Sequence, residues 1–250
     1  MSAYHHLYSL IYVVNRSRYE KLPYCWNKYK TIMYLKEKIP ELKTSFIKEI
    51  KSHVDIDTDN FVLKNSFGHS SRNVYVFYKL SNNSYYELLR NKVFYIQSVQ
   101  KIIKYFKNPF IENNFMVNKL PMDIKVHVFF GKVKFFYIYF KNKSKQKSRY
   151  DNKLNYIPYS EMFFPNSFKT DFKENKNLIN KTDKDVMNKL LEDSKEIFKN
   201  LNELVYCSID WLYDYENHKY YFCELTPTPY VLSKYVKPAF IKKHIVFDNI

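Results

Sequence analysis

Asp210 and Glu224 are the residues whose setting first suggests chemistry. Asp210 lies in the apolar run Ser208-Ile209-Asp210-Trp211-Leu212, and Glu224 in Phe222-Cys223-Glu224-Leu225-Thr226. An unpaired carboxylate is costly in such surroundings. Two strands joined by the short polar turn Asp214 to Lys219 would set the acids side by side. Like charges held close call for a cation, and Mg2+ carried on a nucleotide phosphate suits a pair of carboxylates. The same residues also fit an edge hairpin whose acids face water. A second feature lies earlier. Lys64 closes the apolar run Phe61-Val62-Leu63, and Asn65 to Asn73 follow with Gly68, His69, Ser70 and Ser71 among them. A loop of this kind between strands can turn backbone N–H groups and hydroxyls toward phosphate oxygens, with the lysine as counter-charge. It is not a Walker loop, since no GxxxxGK[ST] occurs. His69 reads most simply as a solvated loop histidine.

These residues need strands to hold them. The chain has only two glycines, and each sits between runs with strand composition. Phe61 to Lys64 precedes Gly68 and Asn73 to Tyr78 follows it; Ile124 to Phe130 precedes Gly131 and Lys132 to Phe140 follows it. Both are β-turn-β units, which predicts two sheets. Two further strands are expected at Leu204 to Tyr213 and Tyr220 to Leu225. Helical spacing of apolar residues predicts helices over Asn27 to Lys38, over Glu41 to Ser52 beyond Pro40, and over most of Tyr85 to Phe106. Thr182 and Asp185 suggest a capping box ahead of a helix reaching about Asn202. Residues 141–182, with Lys141, Lys143, Lys145, Lys147 and Arg149 alternating with polar residues, read as a solvated loop or insertion, with a basic binding patch as the alternative. Cys207, Cys223 and His127 read as core residues. Helices mixed with paired strands give an α+β class.

Composition narrows the field. With 46% hydrophobic and 19% aromatic residues in 250, the chain can bury a core and is not disordered throughout. No run of eighteen apolar residues occurs, and Leu7 to Val14 lacks the basic flank and cleavage site of a secretory signal. The net charge of +16, from 41 basic and 25 acidic residues, would suit a polyanion. The abundance of Lys, Asn, Tyr, Phe and Ile beside scarce Gly also matches AT-rich coding, which accounts for much of that excess. Cys25, Cys207 and Cys223 form no CxxC pattern, and their odd number argues for a reducing, cytoplasmic setting.

Order and spacing add a resemblance. FVLK, the GHSS loop, DIKVHVFFGK and the closing SIDWL…YYFCELTPTP resemble the ATP-grasp superfamily, most closely the teichuronopeptide and polysaccharide-biosynthesis (TupA-like) branch. The resemblance runs from about Asn27 to Ala239 and implies one ATP-grasp unit over residues 1–250. A subdomain of about residues 26–110 would carry the phosphate loop, and one of about 116–250 the metal site, clasping ATP between antiparallel sheets. Lys28 and Lys64 resemble the phosphate-contacting lysines, and Gly68 to Ser71 the loop that closes over the phosphates. Lys64, Ser70 and Ser71 would then be catalytic. Glu112, Asn113 and Phe115 occupy the place of the adenine hinge, Asp123 resembles the acid near the ribose, and Lys125 follows on the same strand face. Asp210 and Glu224 resemble the paired Mg2+ ligands. Three residues depart from the wider pattern: Ser208 stands for an arginine, Thr226 for an asparagine and Asn73 for a glycine, although the polysaccharide branch itself uses Glu-Leu-Thr.

The activity implied is that of a carboxylate–amine ligase (EC 6.3 type) working through an acyl phosphate, in glycan or peptide modification. Its partners would be ATP, an unidentified carboxylate or phosphorylated acceptor, and a protein completing the substrate site. The same fold would also suit a kinase acting on a phosphorylated sugar or inositol. From a different class, an inactive basic nucleic-acid-binding module would fit the charge.

Overall fold

The computed structural model describes residues 3–22, 26–67, 73–113, 120–141, 145–164, 172–201, 204–228 and 236–246. The chain divides into two compact units: Tyr24–Lys36 with Thr44–Lys119, and Met1–Pro23 with Glu37–Lys43 and Leu120–Ile250. The class is α+β, with a six-stranded sheet in each unit. Helix α1 (Ala3–Tyr19) opens the chain in the larger unit. Among the described residues no helix is long and apolar enough to cross a membrane.

The smaller unit begins with helix α2 (Lys28–Lys38), whose first turn is capped by Asn27: its Oδ1 accepts from the backbone N–H of Lys30 at 2.9 Å. Its strands are β1 (Phe46–Glu49), β2 (Asn60–Asn65), β3 (Val74–Ser81), β4 (Ser84–Glu87), β5 (Lys92–Tyr95) and β6 (Pro109–Asn113), in the order β1-β6-β2-β3-β4-β5 and antiparallel throughout. Helix α3 (Ile96–Tyr105) packs Val99 and Ile103 against Phe61, Leu63, Phe77 and Ile111. Because side chains alternate along a strand, Leu63 and Ile111 point into that core while Lys64 and Glu112 point to the other face.

Two expectations fail here. Residues Glu41 to Ser52 do not form a helix; Phe46–Glu49 instead pairs with β6, from Phe46↔Asn113 to Glu49↔Phe110. A helix there would have left β6 without its outer partner, so tertiary pairing overrides local periodicity. In Tyr85 to Phe106 only the second half is helical, and the first half is the β4–β5 hairpin. Its turn is set by Asn91, at φ 55°, and by the Glu87 carboxylate, which accepts from the N–H of Arg90 at 2.7 Å. Asparagine is among the few residues that adopt left-handed geometry readily.

The larger unit carries β7 (Met122–Phe129), β8 (Lys132–Phe140), β9 (Gln146–Asp151), β10 (Lys173–Glu174), β11 (Tyr206–Asp214) and β12 (Lys219–Thr226). Their order is β10-β9-β8-β7-β11-β12, antiparallel except for β10 against β9. Phe130 (φ 51°) and Gly131 (φ 77°) form the two-residue turn between β7 and β8. Positive φ at both positions is the twist that a tight hairpin requires.

Helix α5 (Lys184–Lys199) buries Met187, Leu190, Leu191, Ser194, Ile197 and Phe198. Ser194 Oγ accepts from Trp211 Nε1 at 2.9 Å, seating the helix on the sheet face that also carries Ile209 and Ile124. The opposite face is partly covered by Ile11 of α1, by α4 (Tyr159–Met162), and by α6 (Pro238–Ile241) with the π turn after it. They gather around Phe129, Phe135, Tyr137 and Tyr206. The cap of α5 is Asp183, whose carboxylate accepts from the Val186 N–H at 2.9 Å; Thr182 instead donates its hydroxyl to Ile179 O. The expected loop over 141–182 is also corrected. Residues 146–151 are a strand, and the alternation of basic residues there is the period of two that a strand imposes.

Candidate functional site

The sheet face of the larger unit that carries Phe129 and Tyr206 also collects polar residues. Asp210 on β11 stands opposite Glu224 on β12 and opposite Lys125 on β7. A bulge makes this pairing: Trp211 pairs with Phe222, so Cys223 is the extra residue. Strict alternation would have aimed Glu224 the same way as Tyr220 and Phe222, whose rings pack on Trp211. The bulge re-aims the acid to the Asp210 face without disturbing that packing.

Lys125 Nζ donates to Asp210 Oδ2 at 2.6 Å. Asp210 Oδ1 is buried with no hydrogen-bond partner among the described residues. Burial pushes the Asp210 carboxyl up to about 6; the Lys125 ammonium pulls against this and the Glu224 charge adds to it. Burial alone would lower Lys125, but the Asp210 ion pair outweighs it and holds the ammonium above its ordinary value. Asp123, two residues before Lys125 and on the same face, pairs with Lys141. A buried carboxylate oxygen left over after an ion pair, beside a second half-buried carboxylate, is a donor set that suits a hard divalent cation. Asp210 and Glu224 therefore fit the Mg2+ that the resemblance implies.

Two cations on this face, Lys147 and Arg149, lie in the segment whose composition predicts a solvated loop. Lys147 stands opposite Tyr139, and Arg149 opposite Tyr137. Lys147 Nζ lies 4.6 and 4.9 Å from the ring centres of Tyr137 and Tyr139. Burial, and then the charge of Arg149, bring the Lys147 ammonium down to about 8. Arg149 is only 1% exposed. Its Nη2 donates to Glu174 Oε1 at 2.9 Å, while Nε and Nη1 are buried without partners among the described residues. The alternation of 143, 145, 147 and 149 was the available signal. Basic residue types hid it, because they suggest solvent. His127 sits deeper, stacked on Phe135 with centroids 4.6 Å apart and bonded through Nδ1 to the Tyr206 hydroxyl at 2.9 Å. Burial holds its imidazole well below the usual histidine range.

In the smaller unit, Lys64 of β2 and Glu112 of β6 meet. Lys64 Nζ donates to Glu112 Oε1 at 2.6 Å, with side chains 7% and 4% exposed. The Lys28 backbone N–H donates to Ser66 O at 2.9 Å, and the Ser66 N–H and hydroxyl both donate to Asn108 O. This ties the start of α2 to the end of β2, the strand that feeds the loop. Asn113 ends β6 opposite Phe46. Gly68, His69, Ser70, Ser71 and Phe115 lie outside the described residues. The structure thus brings Lys64 to Glu112 in one unit, and Asp210 to Glu224 and Lys125 in the other, with Asp123 on the same face.

No family model matches the chain, and no curated protein does. Among solved structures it is similar to D-alanine–D-alanine ligase from Bacillus anthracis complexed with ATP, at 14% identity over 82% of this chain and 55% of that one, with a TM-score of 0.48. It is similar also to L-amino acid ligase from Bacillus licheniformis, at 11% identity over 81% and 40%, TM-score 0.49. The ATP-grasp ligase PsnB complexed with a minimal precursor matches at 10% identity over 81% and 51%, TM-score 0.44. The chain spans about half the length of these structures.

Proposed function

We propose that the chain is an ATP-dependent ligase of the ATP-grasp type, joining a carboxylate to an amine. The observation that carries this reading is the Asp210 carboxylate, held by Lys125 through one oxygen, with its other oxygen unpartnered among the described residues beside Glu224. In this reading a carboxylate oxygen of the acceptor attacks the γ-phosphorus of ATP and ADP leaves. The amine then attacks the acyl carbon, phosphate leaves, and the amine gives up a proton.

Mg2+ held by Asp210 and Glu224 would neutralise phosphate charge. Lys125 orients Asp210 and prevents two acids from facing each other unrelieved. Lys147 and Arg149 supply cations on the same sheet face for an anionic group, and an incoming oxygen would complete the hydrogen bonds that Arg149 lacks among the described residues. Lys28 and Lys64, with Gly68, Ser70 and Ser71, would contact the phosphates. Glu112, Asn113 and Phe115 would lie near the base, and Asp123 near the ribose. By resemblance the acceptor belongs to glycan or peptide modification.

The test is ADP release by the full chain with Mg2+-ATP against a panel of carboxylates, each with and without amines. ADP release that needs both a carboxylate and an amine supports the ligase. Release driven by a hydroxyl acceptor, with phosphate retained on the product, would replace it with a kinase.

A further inference from the structure

The ends of the hairpin that carries Asp210 and Glu224 are fastened by a residue far away in the chain. Asn15, in α1, has no exposed surface. Its Oδ1 accepts from the N–H groups of Val205 at 2.8 Å and Tyr206 at 3.1 Å. Its Nδ2 donates to the carbonyls of Tyr206 and of Pro227, the latter at 2.7 Å. A carboxamide has two donor hydrogens and two acceptor lone pairs, so all four are used. Tyr206 opens β11 and Pro227 directly follows β12, so one side chain holds both strands at the end away from their turn.

The turn end is held separately by Asp214, which accepts from the N–H groups of Glu216 and Asn217 and from Asn217 Nδ2. Asp210 and Glu224 lie between the two fastenings. The last rung of the ladder is Ser208↔Thr226, and Pro227 has no N–H with which to continue it. The Asn15 amide takes over there, bonding both strands where they can no longer bond each other. Docking of α1 has a second, apolar contribution, since Ile11 belongs to the core cluster that holds Phe129, Tyr206 and Phe240. A buried amide costs more than an apolar residue unless every bond is kept.

We infer that Asn15 is a positioning residue that sets the spacing of the Asp210 and Glu224 carboxylates by fixing their strands at the open end. The inference rests on the reading of those acids as Mg2+ ligands. The test is thermal melting of the full chain at fixed ATP over a series of Mg2+ concentrations. It yields the nucleotide-free melting temperature and the Mg2+ midpoint of the nucleotide-induced shift. Wild type is compared with Asn15→Ser, Asn15→Asp, Asn15→Gln and the packing control Ile11→Val.

The control should lower the melting temperature and leave the midpoint unchanged. Asn15→Ser should raise the midpoint about 10-fold or more, the scale seen when groups that orient metal ligands are removed. Asn15→Asp keeps both acceptor bonds but turns a buried carboxylate oxygen toward the Tyr206 and Pro227 carbonyls, so its midpoint should rise at least as far. Asn15→Gln, which keeps the amide and displaces it by one methylene, should also raise the midpoint and decides the matter if the other two do not fold. Asn15 variants that melt earlier yet keep the wild-type midpoint would overturn the inference. A wild type with no Mg2+-dependent shift would overturn the metal reading and the inference with it.

Discussion

Each unit holds a lysine–carboxylate pair of the same length, 2.6 Å, yet the two pairs are different devices. Lys64 and Glu112 are 7% and 4% exposed and match each other in charge. Lys125 and Asp210 are more open, at 28% and 18%, and stand beside a second acid, Glu224, that the same lysine must also offset. The result is one buried carboxylate oxygen, Asp210 Oδ1, unpartnered among the described residues. A matched buried pair holds its strands in place, and breaking it is expensive. A pair with an acceptor oxygen left over is poised to receive a cation. The distinction lies in what surrounds each pair rather than in its length.

The sharpest way to break the comparison is Glu224→Gln. It keeps volume and removes one carboxylate charge beside Asp210. Loss of one group that stabilises developing charge costs about 10²–10³ in kcat, so ADP release should fall by that order. The nucleotide-free protein should melt at the same temperature or higher, because the repulsion with Asp210 is gone. Stabilisation by Mg2+-ATP should shrink. Identical nucleotide-induced shifts in the variant and wild type would remove Glu224 from the metal site.

Lys64→Met probes the other pair and should behave differently. A hydrogen bond to a charged group contributes about 1.5–3 kcal/mol, so ATP affinity measured by calorimetry should fall roughly 10- to 100-fold. Glu112 is then left buried and unpaired, at a cost of about 3–5 kcal/mol in stability. Lys64→Met/Glu112→Leu should recover most of that stability and none of the affinity. If the double variant also regains ATP affinity, Lys64 acts only as Glu112's partner. A smaller change comes from Arg149→Met. It removes two buried donors without partners among the described residues together with the ion pair to the exposed Glu174, so the melting temperature should fall only slightly, while the KM of the anionic substrate rises about 10-fold. An unchanged KM would make Arg149 a structural cation.

Much of this was legible because it is written locally. Phe61 to Lys64, the Gly131 turn and the two acid-bearing runs each carry their signal within about ten residues. The rest depends on partners far along the chain. The Cys223 bulge is a property of β11 facing β12, and nothing in YYFCELT alone says which residue is extra. β1 exists only because β6, some sixty residues later, offers it an edge. Neither α1 nor the role of Asn15 is written locally, because the partners of that amide are about 190 residues away. Lys147 and Arg149 had the right period but residue types that suggest water. Their burial follows from the aromatic rings of β8 and α4.

Lys147 gives the finest test, through pH. Its pKa is brought from 10.5 down to about 8 in the folded protein, chiefly by burial. Between those values the unfolded chain holds a proton that the folded chain does not. Stability therefore rises with pH across that window, and below it the protonated lysine costs the fold its full penalty. An anion bound near Lys147 reverses the preference, because it favours the ammonium. Nucleotide or substrate binding should then take up a fraction of a proton at pH 8.5, and affinity should decline above about pH 8 by a few-fold per unit. Calorimetry at pH 8.5 in two buffers of different ionisation enthalpy measures that uptake directly. Lys147→Gln should abolish it while leaving the Glu112 and Lys64 pair, in the other unit, undisturbed. Lys125 titrates far above this range, so it cannot supply the proton signal. Binding heats that do not depend on the buffer would place the bound charge away from Lys147 and leave Arg149 as the cation that an anionic group on that sheet face would meet.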